Sequence, residues 1–282
     1  MRLLHGRPLA ERLNARSRER SDVLRSRDIH PALAVISVGV DPAGNTYLQR
    51  LVRGGRSLGI TVRDVSLNRD ATEQTVMAEL DRMGSDRALH GVLLLTPLPA
   101  RLHERQLVDH IPPQKDVEGM NPYNVGLLLE GRPRFVPSTA EAIIELLKFH
   151  RIPLAGADVV VVGRSTVVGR PAAALLVSED ATVTVAHTGT SDIASVTRRA
   201  AVVVVAVGRA GFLTGGMIAP GATVIDAGIN VTPAGIVGDV DADSVASAAG
   251  ALSPVPGGVG TVTTALLLRN VLTAAEAQTV GG

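Results

Sequence analysis

Six short apolar runs punctuate the chain: LAVISVGV at 33–40, GVLLLTPLP at 91–99, and then DVVVVG, ATVTVAH, AAVVVVAVG and ATVIDAG. Their Val-rich content, without polar alternation, predicts strands buried on both faces of parallel sheets. Between the runs the apolar residues return at helical spacing, as in TEQTVMAELDRMG and PSTAEAIIELLKFH, so the pattern predicts βαβ units and an α/β fold. In NTYLQRLVRGG, Tyr47 opens a further predicted helix, with Leu51 one turn later on the same face. A turn-rich stretch from Lys115 to Pro137 separates the first group of strands from the second. It is read as a cleft-lining loop approaching a domain boundary. The helix near 138–149 then crosses to a second lobe, and the last apolar helix, TTALLLRNVLTAAEA, returns to the first.

Length and composition narrow the function classes. A chain of 282 residues with 45% hydrophobic content fills two compact lobes. A net charge of +1 argues against nucleic-acid and membrane surfaces, because non-specific phosphate binding needs a local excess of Lys and Arg. The partner expected is a small molecule. Cysteine is absent, which excludes disulfides, thiolate nucleophiles and Cys-ligated metals, and no metal site is expected. MRLLHGRPLAERL has no long apolar run and does not read as a secretory signal, and no segment reaches the length of a membrane span. A cytoplasmic protein is expected.

Candidate chemistry begins after DVVVV, where GRSTVVGRPAAALL runs from a glycine turn into a helix whose N–H groups suit a pyrophosphate. Ser165 takes the second glycine position of G-x-G-x-x-G and Gly169 falls one residue late, so an ordinary strand-to-helix turn remains the alternative. The next strand ends in VAHTGT, without the acid that holds a ribose 2′-OH in NAD sites. Arg164, His187 and Thr188 suit a 2′-phosphate instead, which favours NADP over NAD. A solvated loop arginine is the other reading of Arg164.

Seven segments in order, PAGNTY, LTPLP, KDVEGMNPYNVG, GRSTVVGRP, VIDAGIN, VGDV and SPVPGGVGTVTTALLLRN, resemble the methylenetetrahydrofolate dehydrogenase/cyclohydrolase family. The resemblance implies a folate-binding catalytic lobe over 1–137, completed by the C-terminal helix 264–282, and an NADP-binding Rossmann lobe over 138–263. It also implies a cleft between the lobes, a tetrahydrofolate derivative as substrate and a homodimer. By the same pattern Tyr47 packs against the substrate's aromatic linker, Glu118 grips the pterin, and Pro256, Gly257 and Gly258 line the folate site. Gly163, Arg164, Ser165, Gly169, His187, Thr188, Gly208 and Ile229 then hold NADP. For Tyr47 the alternative is an aromatic covering a helix-to-sheet contact.

The chain departs from this family pattern at its catalytic pair. Leu51 stands where the family has the lysine of the water-dependent step, and Leu95 where it has the glutamine that tunes that lysine. Glu118 replaces an aspartate and keeps the carboxylate; Thr261 replaces a proline. The chain's lysines are Lys115 and Lys148, neither on the helix of Tyr47, and Arg50 points about 100° away around that helix. Losing the lysine alone would strand a buried glutamine, a penalty of about 1 to 3 kcal/mol, so the paired replacement reads as a repacked site. Hydride transfer needs placement and charge stabilisation; water attack also needs a base. The expectation is an NADP-dependent dehydrogenase with weak or absent cyclohydrolase activity. Two rivals remain: a relative diverted to another cyclic aminal or imine, and a catalytically silent NADP-binding protein.

Overall fold

The computed structural model describes residues 1–39, 42–233 and 235–279, so Val40 of the first predicted strand and the last three residues of the C-terminal segment lie outside it. The chain divides into two compact units, Arg12–Val136 with Thr264–Gly282, and Met1–Glu11 with Pro137–Thr263. Among the described residues no helix is long and apolar enough to cross a membrane.

The chain opens with β1 (Arg2–Leu3) and α1 (Arg7–Ser26), followed by β2 (Ala32–Val38), α2 (Pro42–Ser57), β3 (Thr61–Leu67), α3 (Glu73–Ser85) and β4 (Gly91–Leu94). Two short helices, α4 (Glu104–Val108) and α5 (Pro122–Leu129), complete this half. α2 begins at Pro42, so Tyr47 lies within the helix and does not open it. β2 is the middle of a parallel sheet ordered β3-β2-β4 and is buried along its whole length. Strand periodicity sorts its side chains to two faces. Leu33 and Val35 join Leu93 and Leu95 in one apolar cluster, whereas Ala34 and Ile36 join Val92 and Leu94 in the other. The second cluster packs on α3, whose Val76, Leu80 and Met83 recur at i, i+4 and i+7. Thr72 starts that helix, its hydroxyl accepting from the Thr75 N–H at 3.2 Å, a cap worth about 1 kcal/mol.

The turn-rich stretch is more ordered than its composition suggests. Asn121 caps α5 by accepting from the Tyr123 N–H at 2.9 Å, with Pro122 at the first helical position, where its missing N–H is not needed.

The second half contains α6 (Ser138–Phe149), β5 (Asp158–Val162), α7 (Gly169–Ser178), β6 (Thr182–Ala186), α8 (Ile193–Thr197), β7 (Val202–Val205) and β8 (Thr223–Asp226). A hairpin of β9 (Asn230–Thr232) and β10 (Gly235–Val237) precedes α9 (Ala242–Val245), β11 (Ala251–Leu252) and α10 (Val259–Thr279). Six parallel strands are ordered β1-β11-β8-β7-β5-β6. The four-residue strands β7 and β8 are buried along their length, but β6 is an edge strand and largely exposed, so ATVTVAH is not buried on both faces. Residues 1–11 also depart from the expected 1–137 lobe: Arg2 and Leu3 pair with Ala251 and Leu252, which ties the N-terminus to this sheet.

Candidate active site

In the six-stranded sheet, β6 and β7 lie on opposite sides of β5, so successive crossovers diverge at the carboxyl end of β5. That divergence is the switch point at which open α/β sheets bind ligands. Gly163 follows β5 at φ +131°, and a methyl group there would strike the Ala206 carbonyl oxygen beyond β7. A methyl at Gly169 would strike the Gly163 carbonyl, so both glycines permit the tight approach of turn, strand and helix. Ser165 explains the departure from the usual glycine spacing. Its Oγ accepts from the N–H groups of Val168 at 3.1 Å and Gly169 at 3.3 Å, and so caps the entry to α7.

Val162 pairs with Ala186, and the Gly163 N–H donates to the Ala186 carbonyl at 2.8 Å, so the segments Gly163–Arg164 and His187–Thr188 leave the sheet side by side. Arg164 and Thr188 are exposed. His187 accepts from the Gly189 N–H at Nδ1, 3.0 Å away, which leaves the neutral ring's proton on Nε2 as a donor. Gly208, just past β7, has φ +67° and open space where a side chain would stand. Ile229 follows β8 and is 61% exposed. This arrangement of close glycine contacts, open space and clustered donors fits a phosphorylated dinucleotide. Pro256, Gly257 and Gly258 follow β11 in the same unit; Gly257 has φ +111° and accepts from the Gly6 N–H at 2.8 Å.

Two buried carboxylates, Asp226 and Asp239, anchor the backbone at Gly208 and Gly228 and carry no motif of their own. Asp226 accepts from the N–H groups of Gly228 and Asp239 at Oδ1, 2.9 and 3.0 Å away, and of Val240 at Oδ2, 3.0 Å away. Burial pushes its carboxyl up to about 6, against the pull of those three N–H donors and with repulsion from Asp239 adding to the rise. The signal available was the pair of acids in VIDAGIN and VGDV, but nothing in their spacing says that they meet.

The other unit holds Tyr47, Leu51, Leu95 and Glu118. Leu51 is 0% and Leu95 7% exposed, and both belong to one apolar cluster with Leu48, Leu93, Val117 and Phe135. Tyr47 is half-buried against the same cluster. Glu118 is half-buried on the loop that follows Val117. That loop is tied down by Asp116, whose Oδ2 accepts from the Asn121 N–H at 2.7 Å and from Asn124 Nδ2 at 2.8 Å. Burial raises the Asp116 carboxyl above the usual range although these donors oppose it. Lys115 is also buried and donates to the Asp86 carbonyl at 2.7 Å; desolvation lowers its pKa.

The sequence matches two family descriptions: "Tetrahydrofolate dehydrogenase/cyclohydrolase, catalytic domain" over residues 4–118, and "Tetrahydrofolate dehydrogenase/cyclohydrolase, NAD(P)-binding domain" over 137–279. It is 48% identical over 274 residues to "Bifunctional protein FolD" of Nocardia farcinica, covering 97% of each chain. Among solved structures, the bifunctional methylenetetrahydrofolate dehydrogenase/cyclohydrolase FolD of Campylobacter jejuni superposes with a TM-score of 0.94 at 37% identity, covering 98% of this chain and 99% of that one. The methylenetetrahydrofolate dehydrogenase-cyclohydrolase of Trypanosoma brucei, complexed with NADP and an inhibitor, gives a TM-score of 0.93 at 34% identity and 98% coverage of both chains.

Proposed function

Because the chain belongs to the tetrahydrofolate dehydrogenase/cyclohydrolase family, we propose that it oxidises 5,10-methylenetetrahydrofolate to the 5,10-methenyl compound with NADP, and that hydrolysis to 10-formyltetrahydrofolate is weak or absent. The observation that carries the second half is the joining of Leu51 and Leu95 in one buried apolar cluster.

When bound, NADP supplies the hydride acceptor. Arg164, His187 Nε2 and Thr188 would donate to its 2′-phosphate, the glycines at 163 and 169 would permit close approach of the backbone, and Gly208 and Ile229 would bound the nicotinamide half. Tyr47 would pack on the folate, and Glu118 would accept from the pterin amide and amino group. Loss of hydride from the methylene carbon leaves a cation delocalised between two nitrogens, and no side chain has to move a proton in that step. Hydrolysis differs: water must be deprotonated as it adds to the methenyl carbon. Two leucines packed in one buried apolar cluster supply neither base nor proton carrier. A cytoplasmic homodimer belongs to the same proposal, and light scattering of the purified protein tests the dimer.

The deciding assay follows methenyl and formyl products separately during turnover of methylenetetrahydrofolate with NADP. Methenyl product should accumulate and convert onward at the buffer-catalysed rate. Enzyme-dependent formyl formation would overturn the hydrolytic half, and failure to reduce NADP would overturn the whole.

A further inference from the structure

We propose that Asp239 is a positioning residue for the cofactor: its carboxylate sets the backbone at Val207 and Gly208, the segment on which the nicotinamide half rests. The inference deepens the reading of this unit as an NADP site and depends on it. Asp239 is 0% exposed. Its Oδ2 accepts from the N–H groups of Val207 at 2.6 Å and Gly208 at 2.9 Å, 32 and 31 residues away, and its Oδ1 accepts from Asn230 Nδ2 at 2.9 Å. One side chain therefore joins the end of β7 to the start of β9. Asp226, the last residue of β8, holds Asp239 in turn through the Asp239 N–H and the neighbouring Val240 N–H. Space for the two carboxylates is kept by glycine: a methyl at Gly228 would collide with the Asp239 carboxylate, and one at Gly238 with that of Asp226.

The division of a dinucleotide across the sheet gives the proposal its specificity. The adenine half belongs to β5, α7 and β6, the nicotinamide half to the strands on the other side of the switch point, β7 and β8. Asp239 touches the β7 end and contacts neither Arg164 nor His187 by hydrogen bond. Gly208 at φ +67° presents its backbone to open space, so a shift there moves the floor under the nicotinamide ribose and leaves the adenine side in place.

The experiment compares two ligands. NADPH spans both halves and is followed by its own fluorescence on binding; 2′,5′-ADP reports the adenine half alone and is followed by calorimetry. Asp239→Ala removes the acceptor of two buried N–H groups and should weaken NADPH about tenfold or more, with 2′,5′-ADP unchanged within about twofold. Asp239→Asn keeps one carbonyl oxygen for the Val207 and Gly208 N–H groups, while the Asn230 amide can turn to accept from the new NH2. It should hold NADPH within about threefold of the parent. If Asp239→Ala does not fold, Gly228→Ala, which displaces the same carboxylate, is read by the same criteria. Unchanged NADPH affinity in the alanine variant overturns the proposal. So does equal loss of both ligands, which means general damage, or equal weakening by Asp239→Asn, which means charge and not backbone placement. A parent protein that binds neither ligand would instead refute the NADP reading, a separate result.

Discussion

Rebuilding the lost pair is the sharpest perturbation of the hydrolytic site. Leu51→Lys introduces an amine at a fully buried position of an apolar cluster. Keeping that amine neutral at about pH 7.5, against an ordinary pKa of about 10.4, costs about 4 kcal/mol. A cost of that size approaches the lower end of domain stability, about 5 kcal/mol, so the single variant should melt well below the parent. Leu95→Gln alone buries an amide without a partner, at about 1 to 3 kcal/mol. Leu95 and Leu51 belong to one buried apolar cluster, and the double variant tests whether the two new side chains meet there. A hydrogen bond between the new glutamine and the neutral amine contributes about 0.5 to 1.5 kcal/mol and removes part of the unpartnered amide's penalty. The double variant should therefore be more stable than the sum of the singles by about 2 kcal/mol. Only the double variant should hydrolyse methenyltetrahydrofolate above the buffer background, with NADP reduction retained. The assay is decay of the methenyl absorbance in the parent, both singles and the double, with thermal melts closing the cycle. Additive stabilities and no hydrolysis in the double variant would refute the coupling of positions 51 and 95. Rapid hydrolysis by the parent would show that another group manages the water.

Other perturbations probe the remaining assignments. Arg164→Ala should weaken NADP about tenfold to a hundredfold by removing charge-assisted bonds to the 2′-phosphate, and leave NAD affinity unchanged; equal loss for both would remove Arg164 from that role. Glu118→Gln should weaken folate binding about tenfold while sparing NADP, because an amide cannot accept both pterin N–H groups; calorimetry with tetrahydrofolate reads it. Asp226, raised from 3.8 to about 6 by burial, binds its proton more tightly in the folded protein. Unfolding free energy should therefore fall by about 3 kcal/mol between about pH 4 and pH 6 from this group and stay level above, and denaturant titrations of Asp226→Asn should lack that slope.

The strands β2, β4, β5, β7 and β8 are legible in the sequence because burial on both faces demands uninterrupted apolar residues. β3 is not, since its TVRDVSL lies at a sheet edge and carries Arg63 and Asp64 to the surface. β1 and β11, two residues each, are shorter than any periodicity can register. At the site, Gly163, Gly169 and Ser165 act over a few residues, and local turn chemistry announces them. Leu51 and Leu95 are noticeable only against a family pattern, because a buried leucine by itself says nothing about what it replaced. Asp226 and Asp239 are illegible in the sequence for a different reason. Their partners lie up to 32 residues away in sequence, and the bonds go to backbone N–H groups, which carry no residue signature.

Leu267, Leu268, Val271 and Leu272 of α10 sit in the same apolar cluster as Leu33, Leu51 and Leu95, within the unit that otherwise ends at Val136. During synthesis that cluster stays open until α10 has left the ribosome, more than a hundred residues after the strands it covers. The intervening unit can finish its β5 to β8 sheet first, reversing the order in which the two are translated. A nascent chain stalled before α10 would present Leu33, Val35 and Leu51 to chaperones and proteases, and a nonsense codon ahead of α10 would disable the first-made half of the enzyme.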